Sequence, residues 1–252
     1  MTDTQTKNDA ATRVALVTGG SRGIGAATAR RLGADGFAVL VNYAGRADKA
    51  DDVVATIRQA GGHAVAVQGD VSVPADVARL FDAAEAEFGG LDVLVNSAGV
   101  IDLAPIGEMS DADFDRIVAI NLKGTFNTLR EASRRLRPGG RIINLSTGVT
   151  RLLRPGYGAY AASKAAVEAL TGVLTKEMRG RDIRVNAVAP GPTATELFFD
   201  GKSDALVDEI ARLSPLERLG QPDEIAAVIA MLASDSGAWV NGQTIHVNGG
   251  MV

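Results

Sequence analysis

Short runs that are apolar throughout alternate with longer alanine-rich amphipathic segments along this chain, and no other feature constrains its fold as tightly. The runs 14–18, 37–42, 64–69, 91–95, 141–146, 183–188 and 244–247 read as strands. The segments 23–34, 47–61, 74–89, 111–137, 157–179, 203–212 and 222–233 read as helices. A strand without a polar face must be covered on both sides, so the alternation calls for right-handed crossovers and a doubly wound parallel sheet with helices on both faces. Residues 13–252 are expected to form one α/β domain, and the polar, aperiodic residues 1–12 a disordered tail. In such a sheet, ligands bind beyond the carboxyl ends of the strands.

Two motifs fall at those ends. The first is Thr18-Gly19-Gly20-Ser21-Arg22-Gly23-Ile24-Gly25, between the first strand and the first helix. Glycines at 19, 23 and 25 permit positive φ and close approach of the backbone to a pyrophosphate, while the helix amino terminus offers free NH groups and a partial positive charge. The second is Tyr160-Ala161-Ala162-Ser163-Lys164, fourteen residues after Ser146. On a helix, Tyr160 and Lys164 share a face roughly 6 Å apart along the axis. A cation there favours the phenolate and is expected to lower the tyrosine pKa by roughly 1–3 units, making Tyr160 a proton donor and acceptor near neutral pH. Ser146, at a strand end, is placed to hydrogen-bond the same substrate oxygen.

Composition narrows the alternatives. A formal net charge of −4, with charges spread along the chain, gives no basic footprint for nucleic acid. With no cysteine and two isolated histidines, disulfides, thiolate metal sites and typical zinc sites are excluded. No apolar run approaches the roughly 20 residues of a membrane span, and no amino-terminal segment has the pattern of a signal peptide. The expected location is the cytoplasm.

With the order of these motifs, the chain resembles the short-chain dehydrogenase/reductase family from Arg13 to its carboxyl end. The resemblance rests on Thr18 to Gly25, Asp70-Val71, Asn96-Ser97-Ala98-Gly99, Asn121, Ser146, Tyr160, Lys164 and Pro190-Gly191; Ser97 stands where the family more often has a second asparagine. The carboxyl-terminal Gly242 to Met251 is similar to the 3-oxoacyl-acyl carrier protein reductase branch and its carbonyl-reductase relatives. The resemblance implies a Rossmann-like fold and hydride transfer between a nicotinamide and a substrate carbonyl. In that scheme Tyr160 protonates the alkoxide, Ser146 polarises the carbonyl, and Lys164 tunes the tyrosine and binds the ribose. The backbone or the side chain of Asn121 holds a water that links Lys164 to solvent. Gly19, Ser21, Arg22, Gly23, Ile24, Gly25, Asn42, Tyr43, Ala44, Asp70, Val71, Asn96, Ala98 and Gly99 are the expected cofactor contacts, with Pro190, Gly191, Thr193 and Thr195 around the carboxamide. A non-catalytic nucleotide sensor on the same fold is the alternative from another class.

The end of the second strand, Asn42-Tyr43-Ala44-Gly45-Arg46, has no carboxylate to hold ribose hydroxyls and repel a 2′-phosphate. Arg22 either faces solvent or favours that phosphate, and NADP(H) is the expected cofactor. Asp70 either forms a turn or accepts from the adenine amino group. Arg151 and Arg154 either are solvated or meet an anionic substrate or a phosphopantetheine arm. A small-molecule carbonyl is the expected substrate and acyl carrier protein a possible partner, although Asn127 stands where carrier-protein reductases can present a basic residue. The long segments 111–137 and 157–179, with Phe126, Leu129, Ala165, Ala169 and Val173, are long enough to show a second apolar face. With a carboxyl-terminal contact that the resemblance adds, they point to a homotetramer.

Overall fold

The computed structural model describes residues 12–252; apart from Thr12, the expected tail lies outside the described residues. Seven strands form one parallel sheet in the order β3-β2-β1-β4-β5-β6-β7. They are β1 (Val14–Thr18), β2 (Ala38–Tyr43), β3 (His63–Gln68), β4 (Leu91–Asn96), β5 (Leu136–Leu145), β6 (Arg184–Pro190) and β7 (Thr244–Val247). The order runs outward from β1 on one side and from β4 on the other, so the chain reverses direction across the sheet between these two strands. Their carboxyl ends diverge there into the crevice where a dinucleotide fits.

Side-chain alternation divides the core into two layers. Ala15, Val17, Val39, Val41, Val93 and Val95 face one layer, with α1 (Gly23–Ala34), α2 (Ala47–Gln59) and α10 (Pro222–Ala233). Val14, Leu16, Leu40, Leu94 and Ile142 face the other, with α3 (Pro74–Phe88), α5 (Thr125–Arg135) and α7 (Gly158–Glu177). Both faces of every central strand are thus apolar, which explains the uninterrupted runs in the sequence.

Most elements lie within a residue or two of expectation. The segment 111–137 does not form one helix: α4 (Asp111–Ile117) runs into a π-helical stretch, Val118–Gly124, before α5 resumes. β5 begins at Leu136, five residues earlier than expected, and its pairing with β4 is irregular between Leu91 and Val93. The short helices α6 (Val149–Leu152) and α8 (Glu196–Phe199) were not anticipated, because four residues are too few to show a period; α9 (Asp204–Arg212) matches its segment.

Candidate active site

A cavity of about 460 Å³ opens along the carboxyl ends of the strands, from the turn after β1 to the loop after β6. Its floor is tied down by Thr18, whose hydroxyl accepts from the backbone NH of Ser97 at 3.1 Å and of Ala98 at 3.2 Å. A side chain at Gly19 would put its Cβ 2.8 Å from the Cα of Ala98, and one at Gly25 would stand 2.3 Å from the Gly19 oxygen. Gly19 and Gly23 both take positive φ, 61° and 54°. No side chain caps the start of α1. The turn therefore offers bare backbone NH groups at a helix amino terminus, which is the chemistry a pyrophosphate requires.

The second strand ends differently from its sequence reading. Asn42 is buried and its amide is committed within the protein. Its Oδ1 accepts from Gly19 N at 3.3 Å, and its Nδ2 donates to the carbonyls of Val67 at 3.3 Å and Gly69 at 2.9 Å. Asn42 therefore braces the glycine turn while it also lines the cavity, with both amide hydrogens used and one lone pair of Oδ1 left. Tyr43, Ala44 and Arg22 do line the cavity, as does Arg46, which is paired with Asp48 at 2.7 Å. Asp70 takes the turn-forming role, its Oδ1 accepting from Ser72 N at 2.8 Å and Ser72 Oγ at 2.7 Å.

Asn96 also departs from expectation. Its Nδ2 donates to Asn144 Oδ1 at 2.8 Å and its Oδ1 accepts from Thr128 Oγ1 at 2.7 Å, so it joins β4, β5 and α5 beneath the cavity. Ser97 lines the cavity in its place, followed by Ala98 and Gly99. Asn121 is fully buried in the π-helical stretch. Its Oδ1 accepts from Val100 N at 2.8 Å and its Nδ2 donates to Val100 O at 2.9 Å and Ser163 Oγ at 3.2 Å. The amide thus clamps the chain that follows β4, with both its hydrogens used within the protein.

At the reactive end, Tyr160 stands half-buried on α7 and lines the cavity together with Thr147, whose hydroxyl is close enough to favour its phenolate. The expected partner, Ser146, points elsewhere: its hydroxyl donates to Glu168 Oε1 at 2.5 Å. Neighbouring residues at a strand end project to opposite faces, so only one of these two hydroxyls can meet the tyrosine. Lys164 is buried and donates from Nζ to Leu145 O at 2.8 Å. A Cβ placed on Gly99 would lie 3.5 Å from that Nζ, so the glycine keeps the space in front of the ammonium open.

The titration of the pair also differs from expectation. Burial pushes the Tyr160 phenol up to about 12, a shift that the Thr147 hydroxyl reduces and Tyr157 reinforces. Burial lowers Lys164 to about 8. The lysine does not pull the phenol down in this arrangement. Pro190, Gly191, Thr193 and Thr195 line the wall opposite, with Ser21, Ile24 and Val71 elsewhere in the cavity.

The parallel sheet with its crevice, a pyrophosphate cradle and a tyrosine–lysine pair define a nucleotide-dependent oxidoreductase of the α/β class. Comparison with known proteins agrees. The profile of a family described as enoyl-(acyl carrier protein) reductase matches residues 19–252. An NADPH-dependent aldehyde reductase-like protein, chloroplastic, of Arabidopsis thaliana is 47% identical, over 95% of this chain and 94% of its own length. The crystal structure of a dehydrogenase/reductase from Sinorhizobium meliloti superposes with a TM-score of 0.91 at 40% identity, covering 95% of this chain and 94% of that one. A short-chain dehydrogenase from Burkholderia cenocepacia in complex with NADP gives 0.90 at 35% identity, covering 95% and 97%. The chain belongs to the short-chain dehydrogenase/reductase family.

Proposed function

We propose that this protein is an NADP(H)-dependent carbonyl reductase that converts an aldehyde or ketone to the alcohol. The observation that carries the reading is Tyr160, which meets Thr147 at the mouth of a cavity whose floor is a glycine cradle backed by Lys164. Support for the cofactor comes from the cradle itself, the absence of an acidic residue at the end of β2, and the relatives named for NADPH or solved with NADP. Bound there, NADPH would supply the hydride.

The remaining chemistry falls to this chain. Thr147 takes the polarising role expected of Ser146, donating a hydrogen bond from its hydroxyl to the carbonyl oxygen as negative charge develops there. Tyr160, protonated at neutral pH, gives its phenolic proton to that oxygen. Lys164 Nζ, with Leu145 O as its one protein acceptor, keeps donors for ribose hydroxyls. Arg22, in the cavity wall beside the glycine turn, would pair with the 2′-phosphate of the adenosine ribose. Because the Asn121 amide is occupied, any water relay from Lys164 runs past the Asn121 backbone.

Mixing the protein with NADPH and a panel of aldehydes, ketones and 3-oxoacyl thioesters tests the reading. Oxidation of NADPH that disappears in Tyr160→Phe supports it, and no turnover with any carbonyl rejects it. A carrier-protein role is disfavoured, because Asn127 is buried and donates to Val71 O at 2.9 Å, with nothing to present to an acidic partner.

The homotetramer forms part of the proposal. Leu129, expected outside, is buried, but Phe126 (46% exposed), Val173 (56%) and Trp239 (99%) leave apolar surface for a second copy. Light scattering that finds a 26.1 kDa species at micromolar concentration would reject assembly. A cytoplasmic location is proposed too. It is compatible with the lack, among the described residues, of a helix able to cross a membrane, although one relative is named as chloroplastic.

A further inference from the structure

We propose that the natural substrate carries an anionic group, such as a carboxylate, on the side remote from its carbonyl, and that Arg154 and Lys202 receive it. This deepens the carbonyl-reductase reading and rests on it. The inference starts from which charges around the cavity are already neutralised. Of its two acidic lining residues, Asp70 commits one carboxylate oxygen to Ser72, and Glu196 reaches outward to Lys49 at 3.5 Å. Arg22 and Arg46 belong to the end where β1 and β2 terminate, and Lys164 serves the reactive centre.

Arg154 and Lys202 remain. Arg154 lies in the loop between α6 and α7, six residues before Tyr160, and is half-buried in the cavity wall. That loop is held against the chain after β4, with Ala104 N donating to Gly156 O at 3.1 Å, so Arg154 enters the cavity wall from the α6–α7 side and not from the glycine turn after β1. Lys202 follows α8, and its Nζ sits 5.1 Å from the centre of the ring of Phe198, which also lines the cavity. Among the described residues neither cation makes a side-chain hydrogen bond or an ion pair.

The cavity also has apolar lining: Ile101, Val149, Leu152, Leu197, Phe198 and Met251. Beside such surfaces a half-buried cation without a counter-charge is a ready partner for an incoming anion. The rest of the protein is net negative, so this end of the cavity is also where an anion escapes repulsion and is drawn inward. An apolar carbonyl compound with one terminal anion satisfies both the walls and the cations.

Three substrates of one shape test the proposal with NADPH: 4-carboxybenzaldehyde, its neutral methyl ester and 4-formylphenyl phosphate. We expect kcat/KM for the carboxylate to exceed that of the ester by about tenfold or more, the scale of one charge-assisted hydrogen bond. Arg154→Ala should bring the ratio near one, Arg154→Glu should invert it, and Lys202→Ala should lower it with no change in KM for NADPH. A preference for the phosphate that disappears in the same variants supports the anion site with phosphate as the better ligand. A wild-type ratio near one, a ratio that survives Arg154→Ala, or equal losses on all three substrates overturns it. If the ester is still reduced, and Tyr160→Phe abolishes that reduction, the reductase reading stands while the anion site falls. If no carbonyl is reduced, both fall.

Discussion

Glu168 Oε1 accepts the Ser146 hydroxyl at 2.5 Å and the Thr150 hydroxyl at 3.0 Å, so a carboxylate one turn beyond Lys164 fastens the segment that presents Thr147 to Tyr160. On α7 the residues Lys164, Glu168, Thr171 and Thr175 recur at helical spacing, and each finds a partner on or just beyond β5 or β6: Leu145 O, Ser146 Oγ, Asn144 Nδ2 and Val185 O. This polar stripe sets the rotation of α7, and with it the position of Tyr160.

The two adjacent hydroxyls are therefore predicted to differ in consequence. Thr147→Val keeps the shape and removes the donor, and should lower kcat by about 10²-fold, the scale of a lost oxyanion contact. Ser146→Ala should cost less than about tenfold, because it removes only a brace. Glu168→Gln retains an acceptor and should stay close to wild type, whereas Glu168→Ala should lower kcat with KM for NADPH unchanged. Steady-state kinetics on the four variants decides it; a larger loss in Ser146→Ala than in Thr147→Val would restore the serine as the polarising group.

The pH dependence of NADPH capture should follow Lys164 and not Tyr160. With the lysine lowered to about 8 and the phenol raised to about 12, kcat/KM for NADPH is expected to fall above about pH 8 as the ammonium loses its proton. Lys164→Arg should move that limb to higher pH. A profile level to pH 10 would contradict the assignment.

Stability of the cofactor-free protein should depend on the same lysine. Between about 8 and 10.5 the unfolded lysine holds its proton while the folded one has released it. The unfolded state then binds more protons, so this contribution to stability rises with pH. Melting temperatures of wild type and Lys164→Met, compared from pH 7 to 10, should shift progressively in favour of wild type. The reverse trend would show that burial does not discharge the lysine.

NADPH should exceed NADH in kcat/KM by about tenfold or more, through one charge-assisted phosphate contact at Arg22. Arg22→Ala should erode the preference, and Tyr43→Asp should reverse it by placing a carboxylate at the cavity edge. Asn42→Asp, the switch that strand position alone would recommend, is instead expected to destabilise the fold by about 1–3 kcal/mol, since it sets an acceptor against the carbonyls of Val67 and Gly69. Cofactor kinetics together with thermal melts separate the two behaviours.

The sheet, its helices and the two motifs were legible because each is written locally: an apolar run, a 3.6-residue period, a triplet of glycines. What could not be read were choices that depend on direction. Ser146 and Thr147 carry the same functional group one residue apart, and only the pleat of β5 decides which faces Tyr160. Asn42, Asn96 and Asn121 stand where ligand contacts are expected, but their amides are used on partners such as Val67, Asn144 and Val100, each more than twenty residues away. Period and propensity carry no record of such partners. Sequence leaves Arg151 and Arg154 with the same two alternatives, solvent or an anionic substrate, and only the fold separates them, since Arg154 lines the cavity and Arg151 is exposed.

The π-helical stretch Val118–Gly124 amounts to one surplus residue stored in a helix, and it acts as a phase shifter. Each residue of an α-helix advances the side chain by about 100°, and the wider π turn absorbs one such step, so α4 and α5 keep their faces in phase although the chain between them is one residue too long for a regular helix. Deleting one position would fuse them into a regular rod with Thr128 and Leu129 still on the sheet. What it would remove is the bulge on which Asn121 reaches Val100. A shortened chain of this kind should remain helical by circular dichroism yet lose that clamp, which makes this stretch the point where secondary structure and catalytic geometry can be separated by a single deletion.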